Sequence, residues 1–448
     1  MRISIILPSF IKCLSRNKII RNVLIVSSGT AGAQIISLLA SPIITRLYTP
    51  EAIGMLGSFM AIVAILLPIA ALSYPIAIVL PKSHDDAIKV ANNSLRIAIF
   101  FTIALTVMIL LFQEKLINLI GMEGSSTLFI ALSLPLAILI NTLLAICTQW
   151  AIRHKLFVIN AQAVVAQSLT LNGTKILFGL LALPLGKVLI VLTILGSLLQ
   201  SIVLLLLMKL KKKEELKLPL NASFDSTLIK QYREFPFYRS PQGLLANLNQ
   251  NIPVILLASL FGAASVGFYA LCRTVLQLPV TLIAKSVNDV IYPQINQTSI
   301  NNKPISSLII RGTLWLSILG LAPLLLFIAI GPDLFSLVFG DTWQKAGEIS
   351  QWLSVWFYFN FINRACVAAI PVLRLERFLL LNSLLNFILS SLGFYIGYNI
   401  FDNDVYAVAM YSLFGIIPQI IIISFVIFSA KKHDKQLLDY KESTGSSV

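Results

Sequence analysis

The sequence predicts an all-α membrane protein that crosses the bilayer twelve times. Of its 448 residues, 57% are hydrophobic and only 12% are charged, and the mean hydropathy is +0.87. Apolar runs of about 20 residues, the length of helix that spans a bilayer, recur along the chain. The alternating pattern of about ten residues that an outer-membrane barrel requires is absent. These observations favour a polytopic helical protein over a barrel.

Twelve apolar runs are separated by charged residues or by Gly and Pro. They lie at Val23–Leu47, Gly54–Leu80, Ser94–Phe112, Leu128–Trp150, Phe157–Ala182, Gly186–Met208, Pro241–Phe261, Val266–Ile295, Leu308–Ile330, Ile349–Pro371, Phe378–Ile400 and Val405–Phe428. The spans predict five regions, namely a tail (1–22), an N-lobe (23–208), a linker (209–240), a C-lobe (241–428) and a second tail (429–448).

Lys and Arg residues orient the chain, because positively charged loops stay on the cytoplasmic side. If the N-terminus is cytoplasmic, the outer loops hold only Lys115 and Lys345, and one of them is acidic through Asp402 and Asp404. Both termini and the linker are therefore predicted to be cytoplasmic. The net charge of +15 follows from this bias, helped by attraction to anionic lipid, and requires no nucleic-acid partner.

The linker divides the spans into two sets of six, so the second set enters the membrane in the same orientation as the first. Parallel repeats of this kind occur among secondary transporters. A weak internal repeat has the same register, because Ala33 and Gln34 of the first half align with Ala246 and Asn247 of the second. The duplication favours a transporter built from two similar halves.

The predicted eighth span carries three ionisable residues, Arg273, Lys285 and Asp289. A charged residue at the bilayer centre costs roughly 2.5–3.5 kcal/mol, so such residues usually face protein or water. At about 100° per residue, the three share one helix face with Gln277 and Asn288. Lys285 and Asp289 are spaced to neutralise each other as an i,i+4 pair, whereas Arg273 has no acidic neighbour at that spacing.

Other predicted spans add polar and cationic residues, namely Lys175, Arg364, Gln34, Arg46, Asn247 and Asn251. Any one Asn or Gln is more simply a helix-pairing residue, and Arg46 is close enough to a boundary to snorkel. Together these residues predict a cationic, aqueous cavity between the halves. Arg and Lys bind phosphate through charge-assisted hydrogen bonds, so a phosphate-bearing cargo is the expected ligand. Asp289, the only acid well inside a span, is the candidate for ion coupling.

Signatures of catalysis and metal binding are missing from the sequence. It contains no G-x-x-x-x-G-K-[ST] loop and no G-x-S-x-G motif. His84, His154 and His433 lie in separate predicted cytoplasmic segments and predict no metal site. The four cysteines are scattered without a C-x-x-C pair and are expected to be small core residues. No cofactor is predicted, and a transporter is favoured over an enzyme.

Three segments carry a resemblance to a known family. They are RNVLIVSSGTAGAQIISLLASPIITRLYTPEAIGMLG from Arg21, REFPFYRSPQGLLANLNQNIPVILLASLFGAASVGFYAL from Arg233 and LVFGDTWQKAGEISQWL from Leu337. They resemble Wzx-type polysaccharide biosynthesis proteins, the flippases of O-antigen and capsule repeat units in the multidrug/oligosaccharidyl-lipid/polysaccharide exporter superfamily. The likeness extends from about Arg21 to the end of the twelfth span.

This resemblance implies two six-helix lobes around a central cavity that works by alternating access. The implied cargo is an oligosaccharide repeat unit on undecaprenyl pyrophosphate, moved from the cytoplasmic to the periplasmic leaflet of a bacterial inner membrane. Arg273 is the position to which the family's cationic cavity carries over most readily. Membrane lipid, a polysaccharide polymerase and chain-length regulator proteins are the implied partners.

Three alternative functions stay open at this point. A drug or cation antiporter of the same superfamily would share the fold, but its cavity should be acidic to hold cationic cargo. A lipid II flippase would share a cationic cavity, but it is expected to carry two more spans after the twelfth. A glycan polymerase or ligase is the enzymatic alternative, although the outer loops are short for a set of acidic catalytic residues.

Overall fold

The chain is predominantly helical in the part that its computed structural model describes, which is residues 18–112, 127–181, 184–211, 226–301 and 303–444. All regular elements in these ranges are helices, and eleven helical segments are long and apolar enough to cross a membrane. The prediction of an all-α, multi-pass membrane protein is therefore confirmed. The predicted N-terminal tail up to residue 17, Lys115 and the last four residues lie outside the described ranges.

The helices of the first half, in chain order, are α1 (Lys18–Leu47), α2 (Pro50–Ala70), α3 (Tyr74–Ala77), α4 (His84–Leu111), α5 (Thr127–Arg153), α6 (Phe157–Leu180), α7 (Gly186–Lys211) and α8 (Ser226–Gln231). A short π-helix, Phe235–Arg239, leads into α9 (Ser240–Phe261). The remaining helices are α10 (Ala263–Ile300), α11 (Ser306–Phe339), α12 (Gln344–Ile362), α13 (Arg364–Leu373), α14 (Glu376–Phe401) and α15 (Asp404–Thr444).

One predicted span, the fifth, is absent from the eleven apolar segments. It forms a helix as expected, α6, but its repeated Asn, Gln, Ser and Thr residues lower its hydropathy. Asn160, Ser168 and Asn172 on this helix are buried. Helix α6 is therefore stabilised by contacts between its polar residues and neighbouring helices, and it depends less on contact with lipid.

Backbone contacts divide the chain into two compact units. The first unit comprises Met1–Asn251 and Ala258–Ala263, and the second comprises Ile252–Leu257 and Ala264–Val448, so that α9 contributes to both. In the first unit, α1 lies along α6. A Cβ added to Gly29 of α1 would lie only 2.5 Å from the Cβ of Ala161 on α6. Small residues at a crossing let membrane helices approach this closely.

The predicted hydrophilic linker contains a helix that belongs to the core of the first unit. Helix α8 packs against α4, and Leu228 of α8 is buried in a cluster that includes Trp150 and Leu204. The hydroxyl of Tyr74 donates a hydrogen bond to the carbonyl oxygen of Ile229 at 3.2 Å. The linker is therefore anchored to the first unit at this point, while its residues 212–225 lie outside the described ranges.

In the second unit, α11 packs on α12, and α15 packs on both α12 and α14. Helix α15 continues to Thr444, well beyond the predicted end of the twelfth span at Phe428. Asp434 in this extension accepts hydrogen bonds from the backbone N–H groups of Ile305 and Ser306, both at 2.8 Å. Because the first N–H groups of a helix lack intrahelical partners, Asp434 serves as a cap for the start of α11.

The predicted tenth span, Ile349–Pro371, consists of two consecutive helices. Helix α12 ends at Ile362 and α13 begins at Arg364. Asn363 lies between them with ψ at −10°, away from the value near −42° of a regular α-helix. The interruption places polar groups at a helix break within a segment that is long and apolar enough to cross the membrane.

Candidate functional site

Two buried polar residues of α6, Ser168 and Asn172, form a hydrogen-bonded seam with α1. Ser168 Oγ donates to the carbonyl oxygen of Ala33 at 2.8 Å and lies 3.2 Å from Ser37 Oγ. Asn172 Nδ2 donates to Ser37 Oγ at 3.0 Å and to the carbonyl oxygen of Ser168 at 2.8 Å. These bonds satisfy polar atoms within one pair of helices. We conclude that this part of α6 serves helix pairing.

Lys175, Arg46 and Gln34 lie on the same pair of helices. The hydroxyl of Tyr48 donates to the carbonyl oxygen of Lys175 at 2.8 Å, which brings Lys175 and Arg46 to one end of the α1–α6 pair. Lys175 is half-buried, and its ammonium has no ion-pair or hydrogen-bond partner among the described residues. Arg46 is exposed and Gln34 is half-buried, and each interacts with other described residues.

Asn247 and Asn251 lie one turn apart on α9 and are both half-buried. Asn251 Nδ2 donates to the carbonyl oxygen of Asn247 at 2.9 Å. The side-chain amide of Asn247 makes no hydrogen bond within the described part of the chain, and it lines a cavity in the first unit. Asn247 therefore has unused hydrogen-bonding capacity next to open space.

Arg273 and Gln277 are half-buried on α10, which contains Pro279 as the sequence indicates. Arg273 interacts electrostatically with the phenol groups of Tyr269 on the same helix and Tyr411 on α15. Both phenols are buried, at 3% exposure each. The guanidinium of Arg273 therefore lies near two aromatic hydroxyl groups within the second unit.

Three further predicted site residues lie on α10, whose backbone is helical from Ala263 to Ile300. The side chains of Lys285, Asn288 and Asp289 are outside the described residues. The predicted Lys285–Asp289 pair and the proposed role of Asp289 in ion coupling therefore stay predictions.

Arg364 lies at the α12–α13 break. Its Nη2 donates to Asn360 Oδ1 one turn earlier, and its Nε is buried with no hydrogen-bond partner in the described ranges. Asn363 is buried and donates to Gln419 on α15. The partners that the structure gives Arg364 are therefore neutral, and a guanidinium N–H remains unsatisfied. Buried polar groups are nearly always hydrogen-bonded, which makes Arg364 a candidate for contact with a ligand.

An ion pair between a buried carboxylate and a partly exposed lysine connects three helices of the second unit. Asp404, at the start of α15, is 2% exposed. It lies 2.8 Å from Lys345 Nζ of α12 and accepts a hydrogen bond from Ser265 of α10. Its carboxylate also accepts from the N–H of Val405 at 2.9 Å. The sequence predicted both charges in outer loops, but only the packing of α10, α12 and α15 brings them together.

Two histidines that are distant in sequence also meet in the first unit. The ring centroids of His84 and His154 are 5.8 Å apart, and each ring contacts Trp150. Arg153 holds the start of α4 against the end of α5, because it donates to the carbonyl oxygens of Pro81 at 2.7 Å and Ser83 at 2.9 Å. The positions of His84 and His154 in the sequence do not predict that their rings lie close together. Within the described ranges, no group of three His, Cys, Asp or Glu side chains is placed to hold a metal ion.

Solved structures with the same fold are membrane transporters. The chain is similar to the lipid II flippase MurJ in an inward closed conformation, with 14% identity and a TM-score of 0.70, over 95% of this chain and 94% of that one. It is also similar to an inward-facing multidrug resistance MATE family transporter, with 13% identity and a TM-score of 0.68, over 91% of this chain and 96% of that one. A third similar structure is a MOP superfamily transporter from Pyrococcus furiosus, with 12% identity and a TM-score of 0.60, over 93% and 96%. At these identities the likeness establishes the fold, which is a membrane transporter fold.

No curated protein matches the chain significantly. The family of proteins described as polysaccharide biosynthesis protein matches residues 43–348, which is more than half of the chain. That range includes most of the first unit and the α10 and α11 helices of the second. It agrees with the resemblance of the three quoted segments. The chain belongs to the polysaccharide biosynthesis protein family and has the fold of the MOP superfamily transporters.

Proposed function

We propose that this protein is a flippase for an undecaprenyl-pyrophosphate-linked oligosaccharide repeat unit. It moves this cargo from the cytoplasmic to the periplasmic leaflet of a bacterial inner membrane, for assembly of a surface polysaccharide. Membership of the polysaccharide biosynthesis family supports the glycan. The fold shared with a lipid II flippase supports translocation of a lipid-linked substrate.

The observation that carries the proposal is Arg364. This guanidinium lies within a helical segment that can cross the membrane, and its described hydrogen-bond partner is the neutral Asn360. A cation in such a place is costly unless it serves an anion or an ion pathway. Arg presents a planar fork of donors that matches phosphate oxygens. Its Nε–H has no partner among the described residues, so we propose that the pyrophosphate supplies one, whereas a cationic drug would be repelled.

In this mechanism the positively charged Arg and Lys side chains bind the pyrophosphate, and neutral amide side chains bind the sugar hydroxyls. Arg364 and Arg273 provide charge in the second unit, and Lys175 provides it in the first. Alternating exposure to the two sides of the membrane then releases the cargo on the periplasmic side. Both termini lie in the cytoplasm, as the Lys and Arg bias favours.

The test is the position of the lipid-linked glycan in cells that lack the gene. Oriented vesicles from deletion cells and from complemented cells are treated with a glycan-modifying enzyme that cannot cross the membrane. We expect the deletion to accumulate glycan that is accessible only in inverted vesicles, and the wild-type gene to restore access in right-side-out vesicles. Normal delivery of glycan to the periplasmic leaflet in the deletion strain would overturn the proposal. A change in drug resistance with unchanged glycan would identify an antiporter.

A further inference from the structure

The first unit contains a cavity of about 370 Å³, separate from the α1–α6 seam, whose mostly apolar lining includes several polar side chains. It lies where the end of α2, the α2–α3 turn and the middle of α5 meet the π-helix and the start of α9. Six residues that the argument uses line it: Pro68, Ser73, Thr142, Arg239, Gln242 and Asn247. This volume is within the usual range of small-ligand pockets, about 300–1,000 Å³.

Specific contacts hold the walls of this cavity in place. Ser240 Oγ at the start of α9 donates to the carbonyl oxygen of Pro68 at 2.8 Å. A Cβ added to Gly243 would lie 3.1 Å from the Cβ of Pro68, so α9 and the end of α2 are in close contact. The carbonyl oxygen of Pro68 also accepts from the N–H of Ser73 at 3.1 Å, and Leu72 and Ser73 in this turn have left-handed φ values of 49° and 58°. Such strained residues persist only where the surrounding structure requires them.

Residues with unpaired hydrogen-bonding groups are among those that line this cavity. Thr142 is 1% exposed, and its Oγ1 has no hydrogen-bond partner in the described part of the chain. The side-chain amide of Asn247 is likewise unpaired within those ranges. Arg239 donates one N–H to Gln242 Oε1 at 3.1 Å, which holds the guanidinium at the mouth and leaves the Gln242 amide N–H groups available.

The charge of the lining determines the class of ligand. Arg239 is the one charged residue among the residues that line the cavity, and no carboxylate is present there. A donor-rich site with a guanidinium and no acid favours an anion, and phosphate is the anion that Arg recognises best. The amides of Gln242 and Asn247 and the Thr142 hydroxyl are suited to the hydroxyl groups of a sugar. The combination fits a sugar attached to phosphate better than it fits inorganic phosphate alone.

We infer that this cavity is a loading site in which Arg239, Thr142, Gln242 and Asn247 bind the phosphate-bearing headgroup of the lipid-linked glycan before it is moved across the membrane. The inference rests on the proposed function, and it adds a binding site within the first unit. Arg239 belongs to the linker, which is predicted to be cytoplasmic. The cavity would therefore receive its ligand from the cytoplasmic side, where the cargo starts.

Binding to the purified, full-length protein tests this inference. The probes are undecaprenyl pyrophosphate that carries one sugar, in lipid nanodiscs, and inorganic pyrophosphate in solution. We expect saturable binding of the lipid probe, and a weakening of about 10- to 100-fold for Arg239→Gln, because a hydrogen bond to a charged group contributes about 1.5–3 kcal/mol. Thr142→Val keeps the side-chain shape and should weaken binding about 3- to 10-fold, because one neutral hydrogen bond is lost.

Arg233→Gln is the matched control. Arg233 is an exposed arginine two residues before the π-helix and does not line the cavity. Its replacement changes the net charge by the same amount and should leave affinity for the lipid probe unchanged. Thermal unfolding of all variants separates a lost contact from a lost fold. Competition by excess inorganic pyrophosphate would support a site that recognises the phosphate groups, and an absence of competition would contradict that recognition.

Three results would overturn the inference. These are an absence of saturable lipid binding by the wild-type protein, equal affinity of wild-type and Arg239→Gln protein, and binding of inorganic pyrophosphate while the lipid probe is excluded. The glycan assay distinguishes this failure from a failure of the proposed function. If the gene deletion blocks export but Arg239→Gln binds and exports normally, only the loading site is wrong. If the deletion does not block export, the flippase itself is wrong.

Discussion

Polar residues inside the helices behave differently in the α1–α6 seam of the first unit and at the α12–α13 break of the second. In the seam, Ser37, Ser168 and Asn172 are neutral and bond to one another or to backbone carbonyls. At the break, Arg364 is charged, and its Nε is buried without a described partner. Polarity within a membrane helix therefore does not identify a binding site by itself. The distinction lies in whether neighbouring helices already satisfy the polar atoms.

The ion pair of the second unit adds a third case. Asp404 is as deeply buried as any seam residue, yet Lys345, Ser265 and the backbone of Val405 surround its carboxylate. Its position at the N-terminus of α15 also suits a negative charge, because the helix dipole is positive there. Asp404 is thus a charge that the fold itself neutralises, whereas Arg364 is the charge that we propose binds the cargo.

The largest expected effect is that of Arg364→Gln. The variant loses the charge but keeps a hydrogen-bonding side chain, so glycan export should fall about tenfold or more, since a charge-assisted bond contributes about 1.5–3 kcal/mol. Membrane abundance and thermal stability should change little. Arg311→Gln on α11 is the control, because Arg311 is exposed in the same unit and its loss should leave export unchanged. Normal export by Arg364→Gln would show that the polar groups at the α12–α13 break, like those of the seam, do not bind cargo.

The second-largest effect on export is expected from substitution of Arg273, whose charge lies near two buried phenols. Arg273→Ala should abolish most export while the protein remains in the membrane, because the residue is proposed to contact cargo. Arg273→Lys should retain part of the activity, since the charge survives but the bidentate fork does not. If Arg273→Ala fails to accumulate in the membrane and Arg273→Lys restores abundance without export, Arg273 is a packing residue. It would then belong with the seam in this comparison.

Asp404→Asn should affect stability before activity. The amide oxygen can still accept from the N–H of Val405, and the amide NH2 can donate to Ser265 Oγ, but Lys345 loses its counter-charge. We expect a loss of about 1–3 kcal/mol, below the cost of breaking a fully buried pair because Lys345 is partly exposed. Denaturation of the purified protein measures this loss. The double variant Asp404→Asn, Lys345→Gln should recover part of it, and a purely additive double variant would show that the two charges do not stabilise each other.

The smallest effect is expected in the seam. Asn172→Leu removes the hydrogen bonds to Ser37 and Ser168 and should destabilise the α1–α6 pair by about 0.5–1.5 kcal/mol, as for other hydrogen bonds between membrane helices. Export per molecule should stay near the wild-type value. Thermal unfolding and the glycan assay, made on the same preparation, separate the two quantities. A large loss of export without a loss of stability would place Asn172 in a binding site.

The sequence located most of the helices well because each depends on a local property. The predicted seventh span, Pro241–Phe261, and α9, Ser240–Phe261, differ by one residue. The predicted sixth span began at Gly186, where α7 begins. Errors occurred where tertiary contacts overrode the local pattern. Helix α15 runs past Phe428 because Asp434 has a partner at the start of α11, and α8 forms in a hydrophilic linker because Leu228 enters the core.

The candidate site was only partly predictable. Arg364 was identified from its depth in an apolar run. The helix break at Asn363 was not predicted, because no Gly or Pro marks that position. The cavity at Arg239 escaped detection altogether, since Arg239 lies in the linker while Thr142 lies in the fifth helix. Asn247 was selected from a weak internal repeat, and its unpaired amide beside that cavity is a separate reason to retain it.

The sequence by itself determined that this protein is a helical, multi-pass membrane protein, because hydropathy and helix length depend on neighbouring residues along the chain. It also determined which residues carry charge into the apolar segments. Only the tertiary structure decided which of those polar groups are satisfied, because hydrogen-bond partners come from helices far apart in sequence: Ser168 meets Ala33, and Asp404 meets Ser265 and Lys345. The physical reason is that an unpaired polar group in an apolar interior has no water to compensate it, so its role depends on the neighbour that packing brings.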